Sequence, residues 1–575
     1  MKLKPEEYLA DWPDLPYPNF IAWLDGIERK WPENKAILYR AGKQKDFDIW
    51  TFTKLAAESR RIARGLLARG FKKGDRVALW LENRPEWMAV WLGTAISGLI
   101  IVPIDFTIND KECVNILKYT KPRAFFLSDK KGGYADKIVS EGINIDCLVS
   151  FDEKNEINYQ NFGRDAEHQV LPAASSIAES DPVSLIFTSG TTGVAKGVTL
   201  HHKGIIANVS AAIISLRAYD WDMFINVLPL HHTYPTTCSF LAPLSVGAGT
   251  IIVEKLVGKV VMDDIRDGKG TFLIAVPLLY DKVMAGVKAN FKALPGIVQA
   301  VLNVLRSWSL FFSKHGFPQF GKVVLKGIRK KMGLQTIRIM VAGGGPLNPK
   351  TADFFDSLGF CMVHGYGMSE NSPLISVNTP WHKNNVSVGL PVKYTDVKII
   401  DQNNEGVGEI AYKSPSLMIG YYENIEATAD ILDEDGYIKS GDLGYIDEYG
   451  YIFINGRKKN LIVSSGGKNI YPEEIEACFE SSRVVGEMLV TGKKDESNGE
   501  VVHAIIFPNH EALAEDYPGN PMEEQFIHDL IKKEIERVNR SLTGYKKISS
   551  FQLVQEEFEK NAQKKIKRYL YKDLV

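Results

Sequence analysis

Short apolar runs recur along the first three quarters of the chain, and between them apolar positions fall at helical spacing. Val77 to Leu81, Leu99 to Ile104 and Ala124 to Leu127 read as buried strands. Leu55, Ile62, Leu66 and Leu67 form a helical stripe ahead of them, and Pro85-Glu86-Trp87 opens a helix with proline in its first turn. A second series follows: Ile225 to Leu228, Thr250 to Val253, Phe272 to Val276 and Arg338 to Val341 are strands. This alternation predicts an α/β fold, with parallel-rich sheets flanked by helices in one large N-terminal domain. The longest apolar stretch, Met88 to Ile104, has about 17 residues and contains Gly93, Gly98 and Pro103. It falls short of the ~20 residues a membrane-spanning helix needs and reads as a helix running into a buried strand.

Two stretches break the alternation. Between Asp281 and Asp353 there is no acidic residue, while lysines and arginines are interleaved with Val301, Leu302, Leu305, Trp308, Leu310, Phe311 and Phe312. Two readings stay open here. One is a solvated basic face over a core helix; the other is a surface at 281–352 that attracts anionic lipid or the phosphates of CoA. The second break comes near Gly456-Arg457. Tyr445 to Ile452 reads as a hairpin, and helices at Pro472 to Phe479, Phe526 to Val538 and Lys565 to Leu570 then mix with strands at Glu487 to Val490, Val501 to Phe507 and Ile548 to Val554. That is a small α+β module, so the expected domains are 1–456 and 457–575.

The candidate chemistry sits where strands end. Val183 to Phe187 feeds Thr188-Ser189-Gly190-Thr191-Thr192-Gly193-Val194-Ala195-Lys196-Gly197, after which Ile205, Ile206, Val209, Ala212 and Ile213 are spaced as a helix. A Gly/Ser/Thr loop between a strand and a helix is the usual place for a phosphate cradle, the plainer reading being a polar Gly-rich surface turn. Glycines let N–H groups approach phosphate, hydroxyls add donors or a magnesium ligand, and the lysine adds a point charge. It is not a Walker A loop, because Ala195 precedes Lys196 and Gly197 follows it. Gly343-Gly344-Gly345-Pro346 lies beyond a strand's carboxyl end, where open α/β sheets bind ligands. In His364-Gly365-Tyr366-Gly367-Met368-Ser369-Glu370 the tyrosine offers a stacking face, and Ser369 and Glu370 offer an alcohol and a hard carboxylate.

Composition narrows the field. The 575 residues exceed one ordinary domain, and 45% hydrophobic with 24% charged residues is ordinary for a globular protein. The net charge of −1 leaves no global footprint for nucleic acid. Five scattered cysteines without a CxxC pair argue against zinc and redox chemistry and suit a reducing cytosol; a cytoplasmic protein is expected, with the basic segment as a route to peripheral membrane contact. Oligomeric state is not legible.

These stretches resemble the adenylate-forming superfamily, which includes acyl-CoA synthetases, peptide-synthetase adenylation domains and firefly luciferase. The family loop Thr-Ser-Gly-Thr-Thr-Gly-x-x-Lys-Gly is matched at every specified position from Thr188 to Gly197. The pattern Tyr-Gly-x-Thr-Glu is matched at Tyr366 to Glu370, with Ser369 keeping the hydroxyl. The resemblance implies ATP, Mg²⁺ and CoA as cofactor and co-substrates, with Mg²⁺ held through Thr188 and Glu370. It implies that Gly343 to Gly345 lie along adenosine, that His364 stands near adenine, and that Asp442 and Arg457 hold the ribose. His232 would border the substrate carboxylate, Tyr234 would gate an acyl tunnel, and Ser465-Gly466-Gly467-Lys468 would line a thiol channel. Lys459 matches the hinge about which a mobile small domain turns. The terminal Gly-Lys-Ile pattern falls on Lys564-Lys565-Ile566, making Lys565 the catalytic lysine, with Lys564 as the competing choice.

The expected activity is ligation of a medium- or long-chain fatty acid to CoA, as in long-chain acyl-CoA synthetases. Two alternatives remain: an adenylating enzyme that loads a carrier protein, and a non-catalytic acyl- or nucleotide-binding relative. The chemically competent set Glu370, Asp442, Arg457 and Lys565 argues against the last.

Overall fold

The computed structural model describes residues 3–9, 11–42, 44–131, 133–151, 157–188, 196–315, 317, 319–464, 468–480, 482–494, 500–560 and 565–574. Two large sheets carry the first part of the chain. The nine-stranded sheet runs in space Leu390–Pro391, Leu374–Val377, Cys361–Gly367, Ile339–Ala342, Phe272–Ala275, Met223–Asn226, Gly249–Ile252, Lys35–Tyr39, Asp48–Thr51. Its six central strands are parallel, and the outer three pair antiparallel. The seven-stranded sheet runs Gly420–Tyr421, Lys196–His201, Pro182–Thr188, Ile100–Pro103, Arg76–Trp80, Ala124–Leu127, Cys147–Ser150. The parallel-rich α/β architecture read from the sequence is therefore present.

Helices Phe52–Ala68, Pro85–Ile96 and His202–Leu216 belong to the core that spans both sheets. Trp23, Trp87, Trp91, Phe20 and Phe52 are all buried there. Every residue of Pro85–Ile96 except Glu86 is buried, which is why Met88 to Ile104 has no polar face. It is a helix running into the strand Ile100–Pro103, as expected. Among the described residues no helix is long and apolar enough to cross a membrane.

A four-stranded antiparallel sheet follows, with Ile438–Ile446 and Ile452–Arg457 forming the expected hairpin. Asp447 shapes its turn by accepting the N–H groups of Tyr449 and Tyr451. Beyond it, the sheet Val485–Lys494, Glu500–Pro508, Ile548–Leu553 packs on helices Pro472–Ala477 and Glu524–Asn539 around its own core of Ile462, Ile475, Val490, Ile506, Ile531 and Ile535.

Two expectations are corrected. The Thr188–Lys196 loop does not join a strand to a helix. It joins antiparallel strands Pro182–Thr188 and Lys196–His201, and the helix His202–Leu216 starts only afterwards. In the second strand Val198 and Leu200 are buried while Thr199 is half-exposed, a period of two hidden between the loop and the helical stripe. Lys565 to Leu570 is not an α-helix either. Ile566 forms a bridge to Lys560, and a 3-10 segment runs from Arg568 to Leu574. Burial of Ile566 against Leu489, Ile505 and Phe558 overrides the helical spacing.

Candidate active site

The adjacent parallel strands Ile339–Ala342 and Cys361–Gly367 register Ala342 beside His364, so their glycine-rich ends emerge side by side. His364 Nε2 lies 3.0 Å from the Gly345 carbonyl oxygen. A carbonyl only accepts, so Nε2 carries the proton and Nδ1 is left as an acceptor. Burial pushes the His364 pKa down to about 4, partly opposed by that carbonyl, so the ring is neutral at working pH. Close packing requires glycine at two points here. A Cβ on Gly367 would stand 2.2 Å from the Pro373 carbonyl oxygen, and one on Gly343 would stand 2.8 Å from the Tyr234 ring.

Past Gly367 a 3-10 turn, Ser369–Asn371, presents Ser369 and Glu370. Ser369 shares a 3.3 Å hydrogen bond with Thr233. Glu370 is buried, and its Oε1 accepts from the Tyr421 hydroxyl at 2.7 Å. Tyr421 lies on the edge strand of the seven-stranded sheet, beside Lys196–His201, and the Lys196 ammonium stands 4.8 Å from its ring centre. Thr188 and Lys196 are cross-strand partners. One tyrosine thus links Lys196, at the far end of the hairpin, to Glu370 in the 3-10 turn after Cys361–Gly367. Ser189, Gly190, Thr191, Thr192 and Gly193 lie outside the described residues.

The four-stranded sheet contributes Asp442, directly across from Arg457. The carboxylate is buried; Oδ1 accepts from Arg457 Nε at 2.7 Å and Oδ2 from the Tyr366 hydroxyl at 2.6 Å. Burial first, and then the Asp442 charge, hold the Tyr366 hydroxyl far above its ordinary pKa, so it stays a donor. Desolvation works against the Arg457 charge, but Asp442, Tyr366 and Glu370 outweigh it. Each Asp442 oxygen keeps a lone pair for a further donor.

His231 and His232 follow the strand Met223–Asn226. Their Nε2 atoms are 3.1 Å apart, and His231 Nε2 is 3.5 Å from Asp105 Oδ2. Burial pushes His231 down to about 3. His232 is held low as well, by burial, then by His231, with Asp105 opposing and Lys565 adding to the depression.

Lys565 arrives from the far end of the chain. Its position is fixed by its neighbours: Ile566 is in the apolar cluster behind the small sheet, and Arg568 donates to the Val490 carbonyl at 2.8 Å and to both oxygens of Glu476 at 2.5 Å. The Lys565 side chain is exposed, yet its ammonium lies within the field of Arg457 and Asp442. Desolvation, then Arg457, lower its pKa, and Asp442 partly restores it.

One cavity of about 2280 Å³ collects these groups. Thr188, Lys196, His232, Gly343 to Gly345, His364 to Gly367, Ser369, Glu370, Asp442, Arg457, Lys459 and Lys565 all line it. Lys468 is not among the lining residues, and Ser465 to Gly467 lie outside those described. The same cavity has an apolar group made by Ala212, Ile213, Leu216, Phe224, Cys238, Ala242, Ile274 and Val341, with Tyr234 also in its wall. A π-helical turn, Thr236–Leu241, carries Cys238; such turns concentrate at functional sites. The sequence reading missed Tyr421, Asp105 and Glu409. Glu409 accepts the Gly441 N–H at 3.0 Å and the Lys458 ammonium at 2.6 Å, bracing the turn before Asp442.

The same chain matches the family model for AMP-binding enzymes over residues 26–422, and the model for the AMP-binding enzyme C-terminal domain over residues 459–573. The chain belongs to the AMP-binding enzymes, within the adenylate-forming superfamily. Among curated relatives of this AMP-binding enzyme, a peroxisomal long chain acyl-CoA synthetase of Arabidopsis thaliana is 28% identical over 552 residues, 89% of this chain and 76% of the relative. A 4-coumarate–CoA ligase of Humulus lupulus is 27% identical over 543 residues, 91% of this chain and 88% of the relative. A crystal structure of an anthranilate CoA ligase in complex with anthranoyl-AMP superposes with a TM-score of 0.78 at 20% identity, covering 98% of both chains. At that identity the superposition shows the fold.

The donor set fits a magnesium ion carried on a polyphosphate. Glu370 and Thr188 supply hard oxygens in one cavity, and among the described residues no cluster of three His, Cys, Asp or Glu could hold a metal alone. Mg²⁺ commonly binds this way, through one or two protein oxygens and the phosphates of its substrate.

Proposed function

We propose that this enzyme is an ATP-dependent ligase that joins a medium- or long-chain fatty acid to CoA through an acyl-adenylate. The observation that carries the reading is the meeting of Lys565, from the C-terminal module, with the Asp442–Arg457 pair of the four-stranded sheet, in a cavity that also has an apolar wall. Relatives of nearly equal identity act on long-chain and on aromatic acids, so the acyl class rests on that wall.

In the first step a carboxylate oxygen attacks the α-phosphorus of ATP, the bond to the bridging oxygen breaks, and pyrophosphate leaves. The protein's part is positioning and charge. Asp442 and Arg457 hold the ribose hydroxyls, and Gly343 to Gly345 and Tyr366 flank the base. His364, neutral, offers Nδ1 as an acceptor. The hairpin from Thr188 to Lys196 cradles the β- and γ-phosphates, with Thr188 and Glu370 holding Mg²⁺, which neutralises phosphate charge when bound. Lys565 bridges α-phosphate and carboxylate oxygens. Neutral His232 borders the carboxylate without adding charge of its own. In the second step the module beyond the Arg457–Lys459 boundary turns about Lys459, Lys565 withdraws, and the CoA sulfur attacks the acyl carbonyl. AMP leaves and the thiol proton goes to solvent.

The test is acid-dependent AMP release with CoA across acids from acetate to oleate, with 4-coumarate included. Turnover rising into the medium- and long-chain acids is the expected result. Turnover of 4-coumarate alone overturns the fatty-acid reading, and AMP release only with a carrier protein overturns CoA as acceptor.

A further inference from the structure

Helix Gly296–Lys314 has two apolar faces. The inner one packs on helices Gln319–Val324 and Pro349–Ser357: Phe312 lies tilted against Phe320 with ring centres 4.6 Å apart, Arg306 Nε donates to Ser357 Oγ at 3.0 Å, and Ser309 is buried. The outer face is Ile297, Val301, Val304, Trp308 and Phe311, at alternate spacings of four and three, and these side chains are 83%, 53%, 56%, 58% and 57% exposed. A regular stripe at this spacing is one continuous ridge of the helix. Scattered exposed apolar residues need no explanation, but an ordered stripe does. Phe317 and, in the next helix, Val323 are exposed too.

The charge carried by the segment itself has one sign. Lys292 precedes the helix and Lys314 ends it, and Lys322, Lys326, Lys330 and Lys331 are exposed just beyond. Lys314 is held by Asp353 at 2.9 Å, and no acidic residue lies between Asp281 and Asp353. A two-fold pairing of two copies through the ridge would bring lysines towards lysines with no carboxylate of this segment to meet them. A surface that is apolar at its centre and anionic around it satisfies both halves.

We infer that this ridge is a docking surface for anionic membrane lipid, with the helix lying in the plane of the interface and the lysines on the headgroups. The inference goes beyond the proposed ligase activity and does not depend on it. Amphipathic helices of this kind bury an apolar face at the headgroup boundary, and each lysine at an anionic surface strengthens partition about fivefold.

Vesicle flotation of the full chain, without ATP or acid, tests it. The probes are vesicles of phosphatidylcholine alone and of phosphatidylcholine with phosphatidylglycerol. The protein should float with the anionic vesicles, less so with added salt, and hardly at all with phosphatidylcholine alone. Val304→Ser with Trp308→Ser should lower the partition at least about tenfold. Lys326→Glu with Lys330→Glu and Lys331→Glu should do the same. Both variants alter exposed side chains, so an unchanged thermal midpoint checks their folding. Flotation that neither variant lowers overturns the inference, as does absence of flotation with anionic vesicles. A wild-type dimer in light scattering that Val304→Ser with Trp308→Ser converts to monomer, without vesicle binding, overturns it in favour of a second copy.

Discussion

Lys565 shows how much and how little a single residue declares. The sequence places it by a terminal pattern and leaves Lys564 as a rival; Lys564 lies outside the described residues. The structure puts Lys565 on the site cavity, under the field of Arg457 and Asp442. Lys565→Ala should lower adenylate formation, measured as acid-dependent ATP–pyrophosphate exchange, by about 10²–10³-fold, the usual cost of removing a group that meets developing charge. Thioesterification of supplied acyl-AMP should be spared, and normal exchange in this variant would move the role to Lys564. The residues legible in the sequence were those whose glycine, lysine or carboxylate sits inside a recognisable stretch. Tyr421 was not legible. Its only local signal is a tyrosine pair after a glycine, and its importance comes from reaching out of its edge strand to Glu370, which no periodicity encodes.

At the scale of elements, the strands were well marked because buried parallel strands are continuous apolar runs. The strand Lys196–His201 was hidden because its short period-two pattern adjoins a stronger helical one. The terminal segment was misread because Ile566 and Leu570 have helical spacing while tertiary contacts claim Ile566 separately. The 3-10 turn Lys458–Asn460 is the element on which the two-step proposal hangs. It connects the strand carrying Arg457 to the module carrying Lys565, and its flanks are held by Lys458 on Glu409 at 2.6 Å and Asn460 on Glu473 at 2.6 Å. Lys459→Pro fixes one φ angle there. It should slow thioester formation by about tenfold or more while leaving adenylate formation near normal, read by following the two half-reactions separately. Equal loss in both would mean the turn is structural.

The molecule as a whole hides several histidines from protons. His202 and His364 are pushed down to about 4 and His231 to about 3, in each case chiefly by burial. Below the ordinary histidine value the unfolded chain binds protons that the folded chain refuses, so stability is fully present above about pH 6.5 and drains away as pH falls towards 4. Each such group costs about 2 kcal/mol between pH 6.5 and 5, a large share of ordinary folding stability. The thermal midpoint should fall by several degrees from pH 7 to pH 5, and His364→Gln, which keeps a donor for Gly345, should flatten that fall. An unchanged slope in the variant would mean that His364 already titrates in the folded state. The small module, finally, holds Lys565 through Ile566, Val490 and Glu476. In genetic terms the active site therefore has a remote address. A cavity opened at Leu489 or Ile505 would slacken the lysine from a distance, and such a lesion would be scored as loss of catalysis although Thr188, Lys196, Asp442 and Arg457 remained in place.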